Sequence, residues 1–381
     1  MPMRPADHAV FEKCTGFLRE LGIDNDREIA AEMMQSIIKL VHDDPGRGEM
    51  KLMMRSFKEL RYAFKIFKPY RGRRKISMFG SARTAPDNSN YISAVEFGRL
   101  SAQAGFMVIT GAGGGIMAAG HEGAGIASSF GVAIRLPFEQ RTNAVIEGDQ
   151  KLIHFRYFFS RKLVFVKETH AIVLYPGGFG THDEGFEVLT LVQTGRCDPL
   201  PIVLIAAKGD DYWQAWDQFV RRQLMADGLI SPEDTGLYFI TDDPRAGVEH
   251  IQRFYRNYHS LRYIKDDLIL RIRHAPTPAE LAALCDEFAD IIVGGTMLVR
   301  SSIEADMDTA LVPEMPRLMF RFDRRSLARL RLLIDRLNTL PSLPPMESEA
   351  PRSGEVGAEV SDRNVGHIAE EEGIKLAGPG I

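Results

Sequence analysis

The chain has 381 residues, of which 45% are hydrophobic and 26% are charged, as in an ordinary globular protein. Its 47 Lys and Arg against 51 Asp and Glu leave a formal net charge of −4, which excludes a strongly basic nucleic-acid protein and a largely disordered acidic chain. At about 100 to 200 residues per domain, this length predicts two or three structural units.

The cysteine content and the apolar runs indicate the cellular compartment. Cys14, Cys197 and Cys285 are far apart in the sequence and have the spacing of neither a disulfide framework nor a zinc site. The first thirty residues carry charges throughout, and no run of eighteen apolar residues occurs. We therefore expect a reduced, cytoplasmic protein with no metal and no cofactor.

An N-terminal helical extension is predicted over residues 1–74, with helices at 28–44 and 51–68. In the second helix, apolar residues recur every three or four positions and Lys and Arg take the opposite face. Residues 46–75 hold eleven Lys or Arg against two Glu, a charge that would suit a nucleic acid or a membrane surface. We favour a solvated helix face that raises the potential near an anion site.

Short apolar, β-rich runs alternate with helix-length segments between Lys75 and Ile240. The runs are residues 76–79, 106–110, 131–135, 171–174, 202–205 and 238–240. This alternation is typical of βαβ units, and continuously apolar runs are typical of parallel strands that are buried on both faces. We therefore predict an α/β fold over residues 75–258, with a Rossmann-like doubly wound parallel sheet that binds its ligand at the carboxyl ends of the strands.

A small C-terminal α+β module is predicted over residues 259–340, in the order βαββα. Its elements are a strand at 263–271, a helix at 277–292, strands at 297–301 and 318–322, and a helix at 326–338. Residues 341–381 are rich in Pro, Gly, Ser and Glu, with eight acidic and three basic residues. We expect a disordered acidic tail there.

Two glycine clusters follow predicted strands and open predicted helices, where backbone amides and the helix dipole can hold a phosphate. The first is Thr-Gly-Ala-Gly-Gly-Gly-Ile-Met at residues 110–117. It lacks the Gly-Lys-Ser/Thr of a Walker loop and the acidic residue of a dinucleotide-binding fingerprint. Taken alone, this cluster fits a tight turn equally well.

The second cluster, Pro-Gly-Gly-Phe-Gly-Thr-His-Asp-Glu at residues 176–184, is more specific. Its glycines permit close approach to a ligand, Thr181 can cap the next helix and offer a hydroxyl, and Glu184 lies one turn into that helix. A turn explains the glycines but does not explain the acidic residue. Upstream, Arg161 and Lys162 lie on a predicted helix that leads into the same strand, where an arginine can bind a carboxylate or a phosphate through two hydrogen bonds.

These motifs resemble those of the Lonely Guy family, whose bacterial members were long labelled lysine decarboxylases. The similarity covers about residues 75–240 and rests on four segments in order: Phe79-Gly80-Ser81, the cluster at 110–117, Arg161-Lys162, and the cluster at 176–184. Ala112 stands where the family usually has glycine, and Ala118 stands where many bacterial relatives have glutamate. The length is similar to that of the larger bacterial type.

The resemblance implies a nucleoside 5′-monophosphate phosphoribohydrolase, which cleaves the N-glycosidic bond of AMP-like nucleotides, including cytokinin nucleotides, to a free base and ribose 5-phosphate. It implies that Arg161 and Glu184 are the catalytic pair. It also implies that three loops bind the substrate through Ser81, Gly111, Gly113, Gly114, Gly115, Gly177, Gly178, Gly180 and Thr181. A carboxylate is suited to this reaction because it can stabilise an oxocarbenium-like transition state or activate water.

Two other functions remain open at this point. A pyridoxal-dependent decarboxylase would need a Schiff-base lysine, for which Lys162 is the only candidate, and Arg161 would then have no role. A nucleotide carrier or nucleic-acid-binding module of the same fold is the stronger alternative, and the basic helix would suit it. Glu184 favours the enzyme, because a carrier needs no carboxylate at that position. His154 and His182 lie near the motifs and are left out of the predicted site.

The helix that follows Glu184 is apolar nearly all round, so we expect part of it to be buried against another subunit. Its apolar residues are Phe186, Val188, Leu189, Leu191 and Val192. In the family, such a helix packs across a two-fold axis beside the active site. The predicted partners are therefore a second copy of the chain, in a homodimer or a multiple of dimers, and a small-molecule nucleotide, with no membrane and no nucleic acid.

Overall fold

A computed structural model of the chain describes residues 5–135, 142–301 and 315–345. Residues 5–61 form one compact unit, and the described residues from Tyr62 onward form another. No described helix is both long enough and apolar enough to cross a membrane. The predicted tail lies outside the described residues from residue 346 onward. The predicted domain boundaries at residues 74, 258 and 340 stay a prediction.

Three helices begin the chain: α1 (Pro5–Glu20), α2 (Arg27–His42) and α3 (Arg47–Phe67). The first two pack on each other around a small core of Cys14, Leu18 and Ala31. The helices predicted at 28–44 and 51–68 correspond to α2 and α3. No separate helix is predicted at α1, although Val10, Cys14 and Leu18 recur every four residues.

Seven parallel strands form the main sheet, in the order β4-β3-β2-β1-β5-β6-β7. They are β1 (Lys75–Phe79), β2 (Met107–Thr110), β3 (Ser129–Ile134), β4 (Leu152–Phe155), β5 (Ala171–Leu174), β6 (Ile202–Ile205) and β7 (Tyr238–Thr241). The helices that alternate with them are α4 (Ser89–Gln103), α5 (Ile116–Ala124), α6 (Phe158–Glu168), α7 (Phe179–Gln193), α8 (Tyr212–Phe219) and α9 (Pro244–Phe254). The predicted Rossmann-like α/β fold is confirmed.

Burial explains why the sequence predicts β5 but not β4. All four residues of β5 are buried, as its continuous apolar run indicates. The pattern does not predict β4, which is an edge strand in which only Ile153 and Phe155 are buried. An edge strand with alternate burial has no continuous apolar run.

The chain order reverses around β1, which lies at the centre of the sheet. Strands β2 to β4 follow on one side of it, and β5 to β7 follow on the other. Loops diverge at such a switch point and leave a crevice at the carboxyl ends of the strands, where doubly wound folds bind ligands. The two glycine clusters are the loops after β2 and β5, so the topology brings both to the same crevice.

The C-terminal module is an antiparallel sheet in the order β10-β11-β9-β8 with two helices. Its elements are β8 (Tyr258–Ile264), β9 (Asp267–Ile272), α10 (Pro278–Glu287), β10 (Leu298–Arg300), β11 (Arg317–Arg321) and α11 (Leu327–Leu337). The predicted single strand at 263–271 is wrong, because Lys265 turns the chain with a φ of 54° and Ile264 pairs with Asp267 in a hairpin. This turn has no Asn-Gly signal in the sequence. One hydrophobic core joins the module to the main sheet.

Close packing of α4 on α5 gives the first testable prediction. A Cβ at Gly123 would lie 1.9 Å from the carbonyl oxygen of Val95, so Gly123→Ala should lower the free energy of unfolding by about 1–3 kcal/mol through overpacking. Gly180→Ala is the control, because nothing lies within 4 Å of a Cβ there and alanine favours a helix. Urea denaturation compares the two variants. Equal losses of stability would contradict the packing described.

Candidate functional site

A cavity of about 640 Å³ opens at the carboxyl ends of β1, β2 and β5. Eight of the predicted site residues line it: Ser81, Gly111, Gly113, Arg161, Gly178, Gly180, Thr181 and Glu184. The predicted residues Gly114, Gly115 and Gly177 are not part of the lining. The lining also contains Arg83, Met117, Thr142, Phe158 and Phe179, which the motifs do not predict as site residues.

The Ser81 peptide connects the two glycine clusters. Its N–H donates to the carbonyl of Pro176 at 3.1 Å, and its carbonyl accepts the N–H of Ile116 at 3.0 Å. A Cβ at Gly115 would lie 2.2 Å from the Ser81 oxygen, and one at Gly177 would lie 2.9 Å from the Ser81 nitrogen. Glycine is therefore needed at these two positions because three loops approach each other closely there, and not because a ligand contacts them.

Arg161 on α6 contributes a guanidinium that pairs with no acidic side chain in the described part of the chain. Among the described residues its side chain makes no hydrogen bond or ion pair, and its Nε is buried. The guanidinium carbon lies 5.2 Å from the ring centroid of Phe165, and Nη2 would lie 3.1 Å from a Cβ at Gly111. Burial lowers the pKa of Arg161, while the charge of Glu184 raises it. A bound anion would supply the missing partner and offset the cost of burying this cation.

Glu184 on α7 is a buried carboxyl, with only 7% of the residue exposed. Its Oε2 lies 3.9 Å from Nζ of Lys162, which is held more closely by Glu187 at 2.8 Å and Asp183 at 2.9 Å. Burial raises the pKa of Glu184 to about 7, against the charges of Lys162 and Arg161, which lower it. Near neutral pH this carboxyl can therefore both accept and release a proton.

Thr181 does not cap α7, which corrects one prediction. The helix begins at Phe179, with Gly178 as its N-cap and no side-chain cap. The N–H groups of Thr181 and His182 bond to the Gly178 carbonyl at 3.0 and 3.3 Å, so the helix has already started when the chain reaches Thr181. Thr181 is buried and still lines the cavity.

His182 and His154 do not line the cavity. His182 supports the second glycine cluster from outside, because its Nε2 lies 2.7 Å from the hydroxyl of Tyr212, which donates to the carbonyl of Gly177 at 2.5 Å. His154 is an exposed residue of β4.

Arg83 lies two residues after Ser81 in the first loop, and this position in the sequence could have identified it. In the structure, its backbone N–H donates to the Ser81 hydroxyl at 3.1 Å.

No group of three or more His, Cys, Asp or Glu side chains within the described ranges is placed to hold a metal ion. The acidic residues beside the cavity, Asp183, Glu184 and Glu187, converge on the ammonium group of Lys162 instead.

Residues 112–251 match the model of the protein family described as "Possible lysine decarboxylase". This stretch contains Arg161 and Glu184, begins inside the first glycine cluster, and leaves the Phe79-Gly80-Ser81 segment outside. This match agrees, over residues 112–251, with the resemblance to the Lonely Guy family that the motifs predict. No curated protein sequence matches the chain.

Solved structures with a similar fold cover about half of the chain. The molybdenum cofactor binding protein from Rippkaea orientalis is 19% identical with a TM-score of 0.35, and the match covers 47% of this chain and 96% of that one. The Moco carrier protein from Chlamydomonas reinhardtii is 19% identical with a TM-score of 0.33, covering 48% and 96%. DNA processing protein A from Helicobacter pylori is 9% identical with a TM-score of 0.32, covering 47% and 80%. Similarity at this level carries no argument about function.

The raised pKa of Glu184 predicts how Glu184→Gln changes stability with pH. The folded-state pKa of about 7 lies above the ordinary value of 4.5. Ionisation of Glu184 therefore lowers the free energy of unfolding, and this loss grows as the pH rises between these two values. Glu184→Gln removes this cost. Relative to wild type, the variant should therefore gain up to about 3 kcal/mol between pH ~4.5 and pH ~8. Denaturation series at both pH values measure the gain, and a pH-independent difference would contradict the burial of an ionisable carboxyl.

Proposed function

We propose that this protein hydrolyses the N-glycosidic bond of nucleoside 5′-monophosphates, AMP-like nucleotides foremost, to a free base and ribose 5-phosphate. The observation that carries the proposal is a buried carboxyl, Glu184, in the same cavity as the guanidinium of Arg161, which no described acidic side chain pairs with. The family match over residues 112–251 supports it, since this is the reaction that the motifs imply.

The 5′-phosphate binds where α7 begins. Nothing lies within 4 Å of a Cβ at Gly178 or Gly180, so packing does not require these two glycines, and their lack of a side chain leaves room for a ligand. The first N–H groups of a helix have no partner inside the helix and attract an anion together with the helix dipole. Arg161 adds a full positive charge in the same cavity. Binding energy from the phosphate then holds the ribose in place for the reaction.

The base lies against the apolar part of the lining. This part consists of Met117, Ala133, Ile134, Phe158 and Phe179. Such a surface accommodates a flat, mostly apolar ring, while few polar groups remain to select among bases. Adenine, with or without an apolar substituent, is therefore a base that this surface can bind.

Glu184 performs the proton chemistry at the sugar. The bond between C1′ and the base nitrogen breaks with its electron pair on the nitrogen, which leaves an oxocarbenium-like ribose that the carboxylate stabilises. The oxygen of a water molecule bonds to C1′, Glu184 takes a proton from that water, and the same proton passes from Glu184 to the departing base nitrogen, which returns the carboxylate to its starting state. A pKa near 7 suits a group that must take up a proton and lose it again at neutral pH.

Decarboxylation through a Schiff base is not proposed, because Lys162 does not suit it. Burial lowers the pKa of Lys162, but hydrogen bonds to Glu187 and Asp183 outweigh this effect and raise the pKa overall. A nucleophilic lysine must instead be neutral, with a lowered pKa. The remaining alternative is a carrier that binds nucleotides without turnover, or a nucleic-acid-binding module that uses the basic stretch at residues 46–75.

We expect release of adenine from AMP and none from adenosine, because the binding site for the 5′-phosphate holds the sugar. Glu184→Gln should lower kcat by about 10²- to 10⁴-fold, the usual effect of losing an acid–base group, while AMP still binds. Arg161→Ala should weaken AMP binding and lower kcat together, because Arg161 contacts the anion and its charge also shifts the pKa of Glu184. Chromatography of the products and calorimetry with AMP measure these effects.

Glu147→Gln is the control, since it removes an exposed carboxylate that does not line the cavity. Its turnover should stay close to that of wild type. Binding of AMP without release of adenine would identify a carrier and refute the hydrolase. Equal turnover of adenosine and AMP would refute the phosphate site.

A homodimer through α7 is also part of the proposal. Part of the apolar surface of α7 is covered within the chain by α11, and Val188 and Val192 are buried. Phe186 remains 39% exposed on α7, and Phe179 at the mouth of the cavity is 96% exposed. Exposed phenylalanines beside an active site support an interface with a second copy of the chain.

Phe186→Glu should convert the dimer to a monomer, because it places a charge in the apolar interface. Phe219→Glu is the control, since Phe219 is 49% exposed on α8, and this variant should stay dimeric. Light scattering gives the masses. A monomer mass for fully active wild type would contradict the proposed interface.

A further inference from the structure

The first glycine cluster contains a strained residue. Ala112 has a φ of 62°, in the left-handed region that favours glycine, and its side chain is buried with Ala133 and Ile146. An alanine in this conformation costs free energy, so the surrounding structure has to hold it there. Both Ala112 and the next residue, Gly113, line the cavity.

Thr110 and Asn143 hold this part of the loop by hydrogen bonds. The N–H of Ala112 donates to the Thr110 hydroxyl at 3.0 Å, and the carbonyl of Ala112 accepts the backbone N–H of Asn143 at 2.9 Å. The side-chain amide of Asn143 donates to the carbonyl of Gly113 at 3.1 Å. Two consecutive carbonyls of the loop are thus fixed by a residue that lies thirty positions further along the chain.

His121 on α5 orients the Asn143 amide. The ring of His121 is fully buried, and its Nε2 lies 3.0 Å from the carbonyl oxygen of Phe130, which can only accept, so Nε2 carries the proton. Burial lowers the pKa of His121, which keeps the ring neutral and leaves Nδ1 as an acceptor. Nδ2 and Oδ1 of Asn143 lie 3.2 and 3.3 Å from Nδ1, and because Nδ1 of this tautomer can only accept, the hydrogen bond is the one from the amide nitrogen. The two amide hydrogens of Asn143 therefore go to Gly113 and to His121.

We propose that Asn143, oriented by His121, is a positioning residue that keeps the first glycine cluster in the shape that binds the nucleotide. The inference rests on the proposed function and concerns the same site. Neither residue lines the cavity, so each acts through the loop residues Ala112 and Gly113. Loss of the amide frees the Gly113 carbonyl and lets Ala112 leave the left-handed region. This loss should weaken nucleotide binding and leave the rate of the chemical step unchanged, because Arg161 and Glu184 lie on other elements.

Four variants test this positioning role: Asn143→Ala, Asn143→Asp, Ala112→Gly and the double variant Ala112→Gly/Asn143→Ala. Loss of the amide hydrogen bonds should weaken AMP binding by about three- to tenfold, with kcat within about twofold of wild type. Asn143→Asp should be as damaging as Asn143→Ala, because a carboxylate of the same size has no hydrogen to donate. In the Ala112→Gly background the effect of Asn143→Ala should be smaller, since glycine adopts a φ of 62° without strain.

Glu147→Ala is the matched control, an exposed residue in the same segment as Asn143, and should bind AMP as wild type does. Affinity is measured by calorimetry in the Glu184→Gln background to prevent turnover, after circular dichroism has shown that each variant is folded. If Asn143→Ala does not fold, the isosteric Asn143→Asp carries the same test.

Wild-type affinity in Asn143→Asp, or an effect of Asn143→Ala that is undiminished in the Ala112→Gly background, would overturn the inference. A fall in kcat as large as the fall in kcat/KM would also overturn it, because that pattern indicates damage to the chemistry. A wild type that binds AMP without hydrolysing it would refute the hydrolase alone, and the affinity series would still decide the role of Asn143. A wild type that binds no AMP would overturn both.

Discussion

A carboxyl and a guanidinium share one cavity without bonding to each other, and the chemistry of the site depends on that separation. A direct ion pair between Glu184 and Arg161 would hold the carboxylate ionised and occupy the guanidinium that we assign to the ligand. Instead, Lys162 is bonded mainly to Asp183 and Glu187, and burial dominates the pKa of Glu184. The site thus combines the carboxyl that we propose for proton transfer with the guanidinium that we propose for anion binding.

The sheet topology makes this arrangement possible. Because β1 has β2 on one side and β5 on the other, the loops after all three strands meet at one edge of the sheet. The Ser81 peptide then bonds to both glycine clusters, and glycine at 115 and 177 permits that contact. The N-termini of α5 and α7 are brought together as a result, with the side chains of α6 between their loops.

Sequence reasoning predicts the features that depend on local pattern. The apolar runs predict six of the seven strands of the main sheet, and the second glycine cluster predicts a site because a turn does not account for Glu184. Features that depend on distant contacts are not predicted. The edge strand β4, the Lys265 hairpin and the contact of Asn143 with Gly113 each depend on tertiary partners or on a backbone conformation that no residue type signals. The roles of the predicted site residues in substrate binding stay a prediction.

The carboxyl titration of Glu184 tests the central claim most directly. NMR of the ¹³C-labelled side-chain carboxyl, assigned by its loss in Glu184→Gln, gives the pKa in the protein without ligand. Burial of this carboxyl predicts a midpoint at about 7. A midpoint at the ordinary glutamate value of 4.5 would mean that the carboxyl is solvated or directly ion-paired, and would contradict the proposed role of Glu184 in proton transfer.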